Sequence, residues 1–167
     1  LLKGTGDLYR SKARLGVVLQ GLEAGVRDAV LRRIAYSGAS LPLAEMAALY
    51  RAADVYVSPY RAEGFNLPVL EAMASGLPVI CTSGGPTDDF VSADGAHKVF
   101  SQRVAAAMPD GGRGVQLQPD LAHLTSLMRR AAEDAAWRRS AGVAGRQQAA
   151  KFTWEKAVES LLAALLA

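Results

Sequence analysis

The sequence predicts an α/β fold, a Rossmann-like doubly wound parallel sheet flanked by helices and closed by a helical C-terminus. Three observations carry this. Short β-type runs alternate with helical ones, the pattern of successive βαβ units. One such unit is fenced at both ends, from Asp54-Val55-Tyr56-Val57-Ser58 to Pro78-Val79-Ile80-Cys81-Thr82. From Asp120 onward the chain reads as helix.

In chain order, Leu1-Leu2-Lys3 reads as the end of a strand and Gly4-Thr5-Gly6-Asp7 as a turn into a helix. Because the chain starts in mid-element and without methionine, something is expected to precede it. Gly4-x-Gly6 lacks the third small residue of a dinucleotide fingerprint, since Tyr9 stands there, so a tight strand-to-helix turn is the better reading. Leu8 to Arg33 is helical in character, with Leu15, Val18, Leu19, Leu22, Val26 and Val30 three or four apart. Gly16, Gly21 and Gly25 weaken that helix and predict a break in its middle. A strand over Arg33 to Gly38, a turn over Ala39-Ser40-Leu41-Pro42 and a helix over Leu43 to Ala53 follow, the last with Met46, Leu49 and Tyr50 on one side.

The fenced unit is the most informative stretch. Asn66 is a good N-cap, Pro68 fits a first turn, Gly76 a C′ position, and Pro78 stops the helix from resuming. Leu70, Met73, Ala74 and Leu77 form the stripe expected to pack on the sheet, while Leu67, Glu71 and Ser75 lie on another row. Glu63 falls in the loop at the carboxyl end of the preceding strand, where open parallel sheets bind ligands. The helix start offers unpaired N–H groups and a positive dipole end, which suit a phosphate. Carboxylates on its flanks repel that phosphate but accept hydrogen bonds from sugar or ribose hydroxyls.

Beyond it, Thr82-Ser83-Gly84-Gly85-Pro86-Thr87-Asp88-Asp89 is a glycine-rich turn into a short helix, with Asp88 and Asp89 read as caps rather than metal ligands. One strand is expected at His97 to Phe100 and another at Val115 to Gln118, with Pro109 and Asp110-Gly111-Gly112 turning between them. His97 and His123 lack zinc-type spacing and read as structural or surface. Asp120 is expected to cap a helix through Asp134, with a second from Ala136 to about Lys151 and a third, capped by Thr153, from Trp154 to Leu166. Leu121, Leu124, Leu127 and Met128 form an apolar row, and Arg129, Arg130, Arg138 and Arg139 read as a solvated face.

The 167 residues suffice for a single domain with one core, and half of them are apolar. Charges interrupt every apolar stretch short of membrane-span length, and no secretory leader is present in the sequence. Cys81 is the lone cysteine, read as a buried small hydrophobe. A net charge of +3 permits attraction to acidic substrates or membrane surfaces, but without a dense basic patch it does not argue for nucleic acid, and none is expected as a partner.

Two glutamates eight apart mean little alone. Here Glu63 and Glu71 stand inside Glu63-Gly64-Phe65-Asn66-Leu67-Pro68, Glu71-Ala72-Met73-Ala74, Gly76-Leu77-Pro78-Val79-Ile80 and Gly84-Gly85-Pro86. That run resembles the signature of the retaining GT-B glycosyltransferases of group 1. The resemblance extends from about Leu1 to the C-terminus and is weak across 92–113.

It implies that 1–167 is one nucleotide-sugar-binding domain, the C-terminal half of a GT-B fold. The N-terminal acceptor domain would be absent, together with a strand and helix whose Arg and Lys stabilise the departing diphosphate. Lys3 is not given that role. By resemblance Glu63 is the catalytic carboxylate, holding the transferred sugar with the backbone N–H groups of Gly64, Phe65 and Asn66. The diphosphate falls to the helix start at Leu67 to Val69 and the ribose to Glu71. Gly4 lies near the base, and Gly38, Ala39, Ser40 and Leu41 receive it. Phe152-Thr153-Trp154 leads into a last helix that returns towards the N-terminal domain in full-length members.

The implied reaction passes a sugar from a nucleotide-sugar donor to an acceptor hydroxyl with retention, with no metal and no other cofactor. The fragment alone would be inactive, its location cytoplasmic, and any peripheral membrane contact would fall to the missing half. A non-catalytic nucleotide-binding or interaction module of the same fold stays open. A sugar-phosphorylase type would need a pyridoxal-binding lysine that the sequence does not place. Hydrolysis ranks below transfer, because Glu71 lies a turn inside a helix that Glu63 precedes. Donor base, donor sugar and acceptor are unread.

Overall fold

Parallel pairing begins at the first residues. In the computed structural model, which describes residues 1–4, 10–107 and 111–166, strand β1 (Leu2–Lys3) lies parallel to β2 (Tyr36–Ser37) with Leu2 opposite Tyr36. The pair is extended by Leu2 N–H to the Ala35 carbonyl (2.7 Å) and Gly4 N–H to the Ser37 carbonyl (2.8 Å). Helices α1 (Ser11–Gln20) and α2 (Ala24–Leu31) connect them, with the expected mid-helix break between. The Glu23 carboxylate caps α2 by accepting from Gly25 and Val26 N–H at 3.0 and 3.2 Å, and those bonds hold its carboxyl below the usual range. Leu15, Leu19, Leu22 and Val30 are half-buried, whereas Val18 and Val26 are exposed. The expected turn at Thr5-Gly6-Asp7, the Tyr9 position and the helix start at Leu8 lie outside the described residues.

The chain divides into two compact units at Met46, within α3 (Leu43–Arg51). In the second unit, β3 (Tyr56–Ser58), β4 (Val79–Thr82) and β5 (Ala96–Val99) form a parallel sheet in that order. The register sets Val57 beside Ile80 and Ile80 beside His97, so these share a face with Val99. On that face Ile80 and Val99 are buried with Leu127 and Ala131 of α5 (Leu121–Glu133), and Val55, Val57, Leu124 and Trp137 pack around them. The opposite face carries Ser58, Val79 and Cys81. Helix α4 (Leu67–Ala74) packs against β3 and β4, and Asn66 Nδ2 at its start donates to Ser58 Oγ (3.0 Å). With both faces covered, every residue of β4 is fully buried, as a strand in the middle of such a sheet requires. Cys81 is the buried hydrophobe it was expected to be, and burial pushes its thiol pKa up.

Helix α4 ends as foreseen. Gly76 adopts φ +78°, Leu77 N–H bonds the Ala72 carbonyl (3.0 Å) and Gly76 N–H that of Met73 (2.9 Å), a Schellman turn. The packing stripe differs from expectation. Val69, Ala72 and Met73 are fully buried, Leu70 is half-buried and Ala74 exposed. The reason is a second neighbour: α4 also packs on α6 (Ala135–Ala149). The buried arc is therefore wider and shifted by one residue.

Asp120 caps α5 through His123 N–H (2.8 Å) and Asp134 caps α6 through Trp137 N–H (2.8 Å). Thr153 Oγ1 accepts from Lys156 N–H (3.3 Å) at the start of α7 (Trp154–Leu166). Leu121 and Met128 are exposed rather than core, since α5 turns only Leu124, Leu127 and Ala131 to the sheet. Arg129, Arg130 and Arg139 are exposed as expected. Arg138 is not: its Nη1 donates to the carbonyls of Ala131 and Ala132 (2.7 Å each), satisfying the C-terminus of α5.

The region after β5 holds a strand the sequence did not announce. β6 (Ser101–Ala107) pairs antiparallel with β7 (Arg113–Pro119), Ser101 opposite Pro119 and Ala107 opposite Arg113. The Phe100 N–H leaves the β5 ladder and donates to His123 Nδ1 (3.0 Å). The expected turn residues Pro109 and Asp110 lie outside the described residues. No helix among the described residues is long and apolar enough to cross a membrane.

The contact between α6 and the end of α4 is testable. A Cβ on Gly142 would collide with the Gly76 carbonyl oxygen, whereas one on Gly16 would meet nothing within 4 Å. Both glycines stand in helices, where alanine gains up to about 1 kcal/mol in propensity. Gly16→Ala is expected to keep that gain, while Gly142→Ala loses about 1–2 kcal/mol net through overpacking, read in urea unfolding.

Candidate functional site

The loop from β3 to α4 is built on an unusual residue. Asn66 has φ 70° and ψ 56°, the left-handed region, and its side chain caps nothing. This corrects the expected capping role. The amide instead reaches back to Ser58 on β3, and the residue is 5% exposed. Asparagine is among the few non-glycine residues that tolerate this backbone. The helix start is therefore left without a side-chain cap. The N–H groups of Gly64, Phe65, Asn66 and Leu67 make no hydrogen bond among the described residues. Pro68 has no N–H, and that of Val69 is taken by the Asn66 carbonyl (3.0 Å). The unbonded donors at the helix start are thus those of 64–67, not the Leu67 to Val69 set expected.

Glu63 and Glu71 flank these donors, both exposed. Tyr50 Oη donates to Glu71 Oε2 at 3.0 Å. The Tyr50 ring is 7% exposed and packs edge-on against Tyr56, centroids 5.7 Å apart at 78°. Burial, then the bond to Glu71 and its charge, push the Tyr50 pKa far above its ordinary value. Tyr56 is raised by burial first, then by the charges of Glu71 and Glu63. Both carboxylates thus act on one side chain of β3. Sequence reasoning had counted Tyr50 among the apolar side of its helix; nothing local to it signals a partner 21 residues away.

Neighbouring loops hold the Glu63 loop in place. Tyr60 Oη shares a hydrogen bond with Thr87 Oγ1 (2.8 Å) and donates to the Thr82 carbonyl (3.2 Å), and Thr82 Oγ1 donates to the Tyr60 carbonyl (2.8 Å). The hairpin adds Leu117 N–H to the Arg61 carbonyl (2.7 Å) and Ser101 Oγ to the Ser83 carbonyl (2.6 Å). Phe65 stacks on the buried Phe90, centroids 4.8 Å apart, so its side chain is anchored. A Cβ on Gly64 would meet no atom within 4 Å, so internal packing does not demand glycine there.

In the turn Pro86–Asp89, Asp88 accepts from Gly84 N–H (2.7 Å) and pairs with Lys98 (2.5 Å), a structural use in line with the capping reading. No group of three or more His, Cys, Asp or Glu side chains among the described residues could hold a metal. His97 stacks on Trp137 at 3.9 Å with its Nε2 buried and unpartnered, and burial lowers its pKa. His123 accepts from Phe100 N–H and stacks on that ring. Both histidines are structural, as read.

In the first unit, Gly4 follows β1 and Gly38, Ala39, Ser40 and Leu41 follow β2, so these residues leave the carboxyl ends of two paired parallel strands. Ala39 and Ser40 are exposed, Gly38 and Leu41 half-buried. Gly4 also has a packing reason: a Cβ there would collide with the hydroxyls of Ser11 and Tyr36, which bond each other at 2.7 Å.

Two outcomes test this geometry. Asn66→Gly relieves the left-handed backbone but loses the Ser58 bond, while Asn66→Ala loses the bond and keeps the strain. Alanine is expected to cost about 1–2 kcal/mol more than glycine in urea unfolding. A raised tyrosine pKa stabilises the fold fully below the unfolded value of about 10 and loses that contribution as pH rises through the folded one. Absorbance titration at high pH should show late-ionising tyrosines in the folded chain, with Tyr50→Phe removing the latest component.

The family model described as "Glycosyl transferases group 1" matches residues 7–110. O-antigen chain mannosyltransferase B of Escherichia coli is 30% identical over 140 residues, 83% of this chain and 31% of that protein. D-inositol 3-phosphate glycosyltransferase of Thermobifida fusca (strain YX) is 32% identical over 124 residues, 74% of this chain and 25% of that protein. The chain thus spans a third or less of the length of these relatives. Among solved structures, sucrose-phosphate synthase from Thermosynechococcus elongatus aligns with a TM-score of 0.73 and 25% identity, over 99% of this chain and 38% of that one. The C-terminal domain of a group 1 family glycosyl transferase (LpcC) from Francisella tularensis aligns with a TM-score of 0.57 and 23% identity, over 87% of this chain and 63% of that one. A match over more than half its length, on a parallel α/β fold of the GT-B type, makes this chain a member of the group 1 glycosyltransferase family.

Proposed function

We propose that the chain binds the nucleotide-sugar donor of a glycosyltransferase, which passes the sugar to an acceptor hydroxyl with its anomeric configuration retained. The observation that carries this reading is the run of four unbonded N–H groups, Gly64 to Leu67, between Glu63 and Glu71. Such donors, at the positive end of a helix, match a diphosphate. Carboxylates are the wrong groups for that anion and the right ones for hydroxyls. Glu71, oriented by Tyr50, takes the ribose diol; Glu63 takes hydroxyls of the transferred sugar. The missing side chain at Gly64 lets the donor approach the backbone closely.

In this reading the bond from the anomeric carbon to the phosphate oxygen breaks as that carbon bonds the acceptor oxygen on the same face. The acceptor's proton goes to the departing phosphate. The chain's contribution is to stabilise the charge growing on the diphosphate with fixed N–H dipoles, without a metal. In the first unit, Gly4 and Gly38 to Leu41 take the base. The two relatives named above differ in their printed activities, so neither sugar nor acceptor is carried over.

Calorimetry with UDP, GDP and ADP, and with their sugar conjugates, tests the assignment. Glu71→Ala should weaken the nucleoside diphosphate roughly 10-fold to 100-fold, the loss of a hydrogen bond to a charged group. Glu63→Ala should leave the diphosphate unchanged and weaken only the sugar conjugate. Unaltered nucleotide binding by Glu71→Ala would sink the ribose assignment, and no binding of any of the three by the unsubstituted chain would sink the donor reading itself.

A further inference from the structure

The second unit has a concave site at the end of its three-stranded sheet opposite the Glu63 loop. A cleft of about 450 Å³ opens beside Asp54 and Pro78, which precede β3 and β4, whereas Glu63 and Asn66 follow β3. Its size falls within the range of small-ligand pockets, roughly 300–1,000 Å³. Its charge is one-sided. Arg51, Arg138, Arg139 and Arg146 line it against one carboxylate, Asp54.

The placement follows from helix periodicity. Arg139, Val143 and Arg146 recur at i, i+4 and i+7 on α6, and Arg138 and Gly142 form the adjoining row. The close approach of Gly142 to the Gly76 carbonyl seats this face of α6 on the end of α4. Arg51 comes from the last turn of α3. Arg138 spends Nη1 on the carbonyls that end α5. The guanidinium groups of Arg51, Arg139 and Arg146 make no hydrogen bond or ion pair among the described residues.

Arginines at helix ends often serve to offset the dipole, and α3 and α4 do end here. Each helix end carries only about half a negative charge. Those two ends, the end of α5 that Arg138 satisfies and Asp54 leave the cleft with about one and a half uncompensated positive charges. Structural need therefore does not account for all four arginines. Guanidinium is also the cation whose planar fork suits bidentate oxyanion recognition.

We propose that this cleft binds a phosphate-bearing anion, either a soluble phosphate ester or the headgroup of an anionic phospholipid. It uses none of the N–H donors or carboxylates assigned to the nucleotide sugar, so the two readings fail separately.

The test follows amide NMR spectra of the chain during titration with sodium pyrophosphate, and co-sedimentation with phosphatidylcholine vesicles with and without phosphatidylglycerol. Arg139 and Arg146 are exposed, so Arg139→Gln/Arg146→Gln should keep the folded spectrum. Saturable shifts at Gly76, Gly142 and Val143, weakened at least about tenfold in the double variant, support the site with a soluble ester. Shifts confined to Gly64 through Leu67 report the other site and count against this one. Sedimentation that needs phosphatidylglycerol and is lost in the double variant supports the site with a lipid headgroup. The proposal is overturned if neither probe binds at the cleft, or if the double variant binds both as the unsubstituted chain does.

Discussion

The start of α4 depends on one hydrogen bond, from the Asn66 amide to Ser58 Oγ. It fastens the first residue of a turn to the strand that precedes it, and so fixes a left-handed backbone that most residues resist. Because the side chain is spent on the strand, it cannot fold over the helix start, as asparagine usually does at this position. The N–H groups of Gly64 to Leu67 at the helix start stay unbonded among the described residues. Local propensity is overruled here at the place where a ligand would profit from it, the pattern expected when a functional site breaks a local rule.

The far end of α4 is fixed by different means. A Schellman turn closes it, and α6 crosses so near that glycine is required at Gly142. Held at both ends and buried along Val69, Ala72 and Met73, the helix presents Glu71 on its remaining exposed row. Tyr50 then restrains that carboxylate from a separate helix. Position at the site comes from packing elsewhere, which is how a short helix of eight residues can serve as a rigid platform.

What the sequence disclosed was mostly punctuation. Gly76, Asp120, Thr153 and the glycine-weakened break before Glu23 each act through a neighbour a few residues away, so the chemistry is written locally. The spacing of Glu63 and Glu71 around Asn66 was legible for the same reason. Failures came where two distant elements decide together. The buried arc of α4 depends on α6 as well as the sheet, and the hydroxyl of Tyr50 finds a partner on another helix. The strand β6 was missed because Ala105-Ala106-Ala107 has weak β-propensity and its outer residues alternate only faintly in burial. Asn66 was placed at the right position with the wrong bond, since Ser58 lies eight residues back.

The hairpin of β6 and β7 meets the rest of its unit through a narrow root. Leu117 is buried against Gly84 and Gly85, and its N–H bonds the loop that carries Glu63. Past that root Ala105, Arg113 and Val115 are exposed and owe nothing to the sheet core. Such a flap can change length or surface chemistry while the strands beneath keep their registry, so the rim beside the Glu63 loop is free to diversify at little cost to the scaffold.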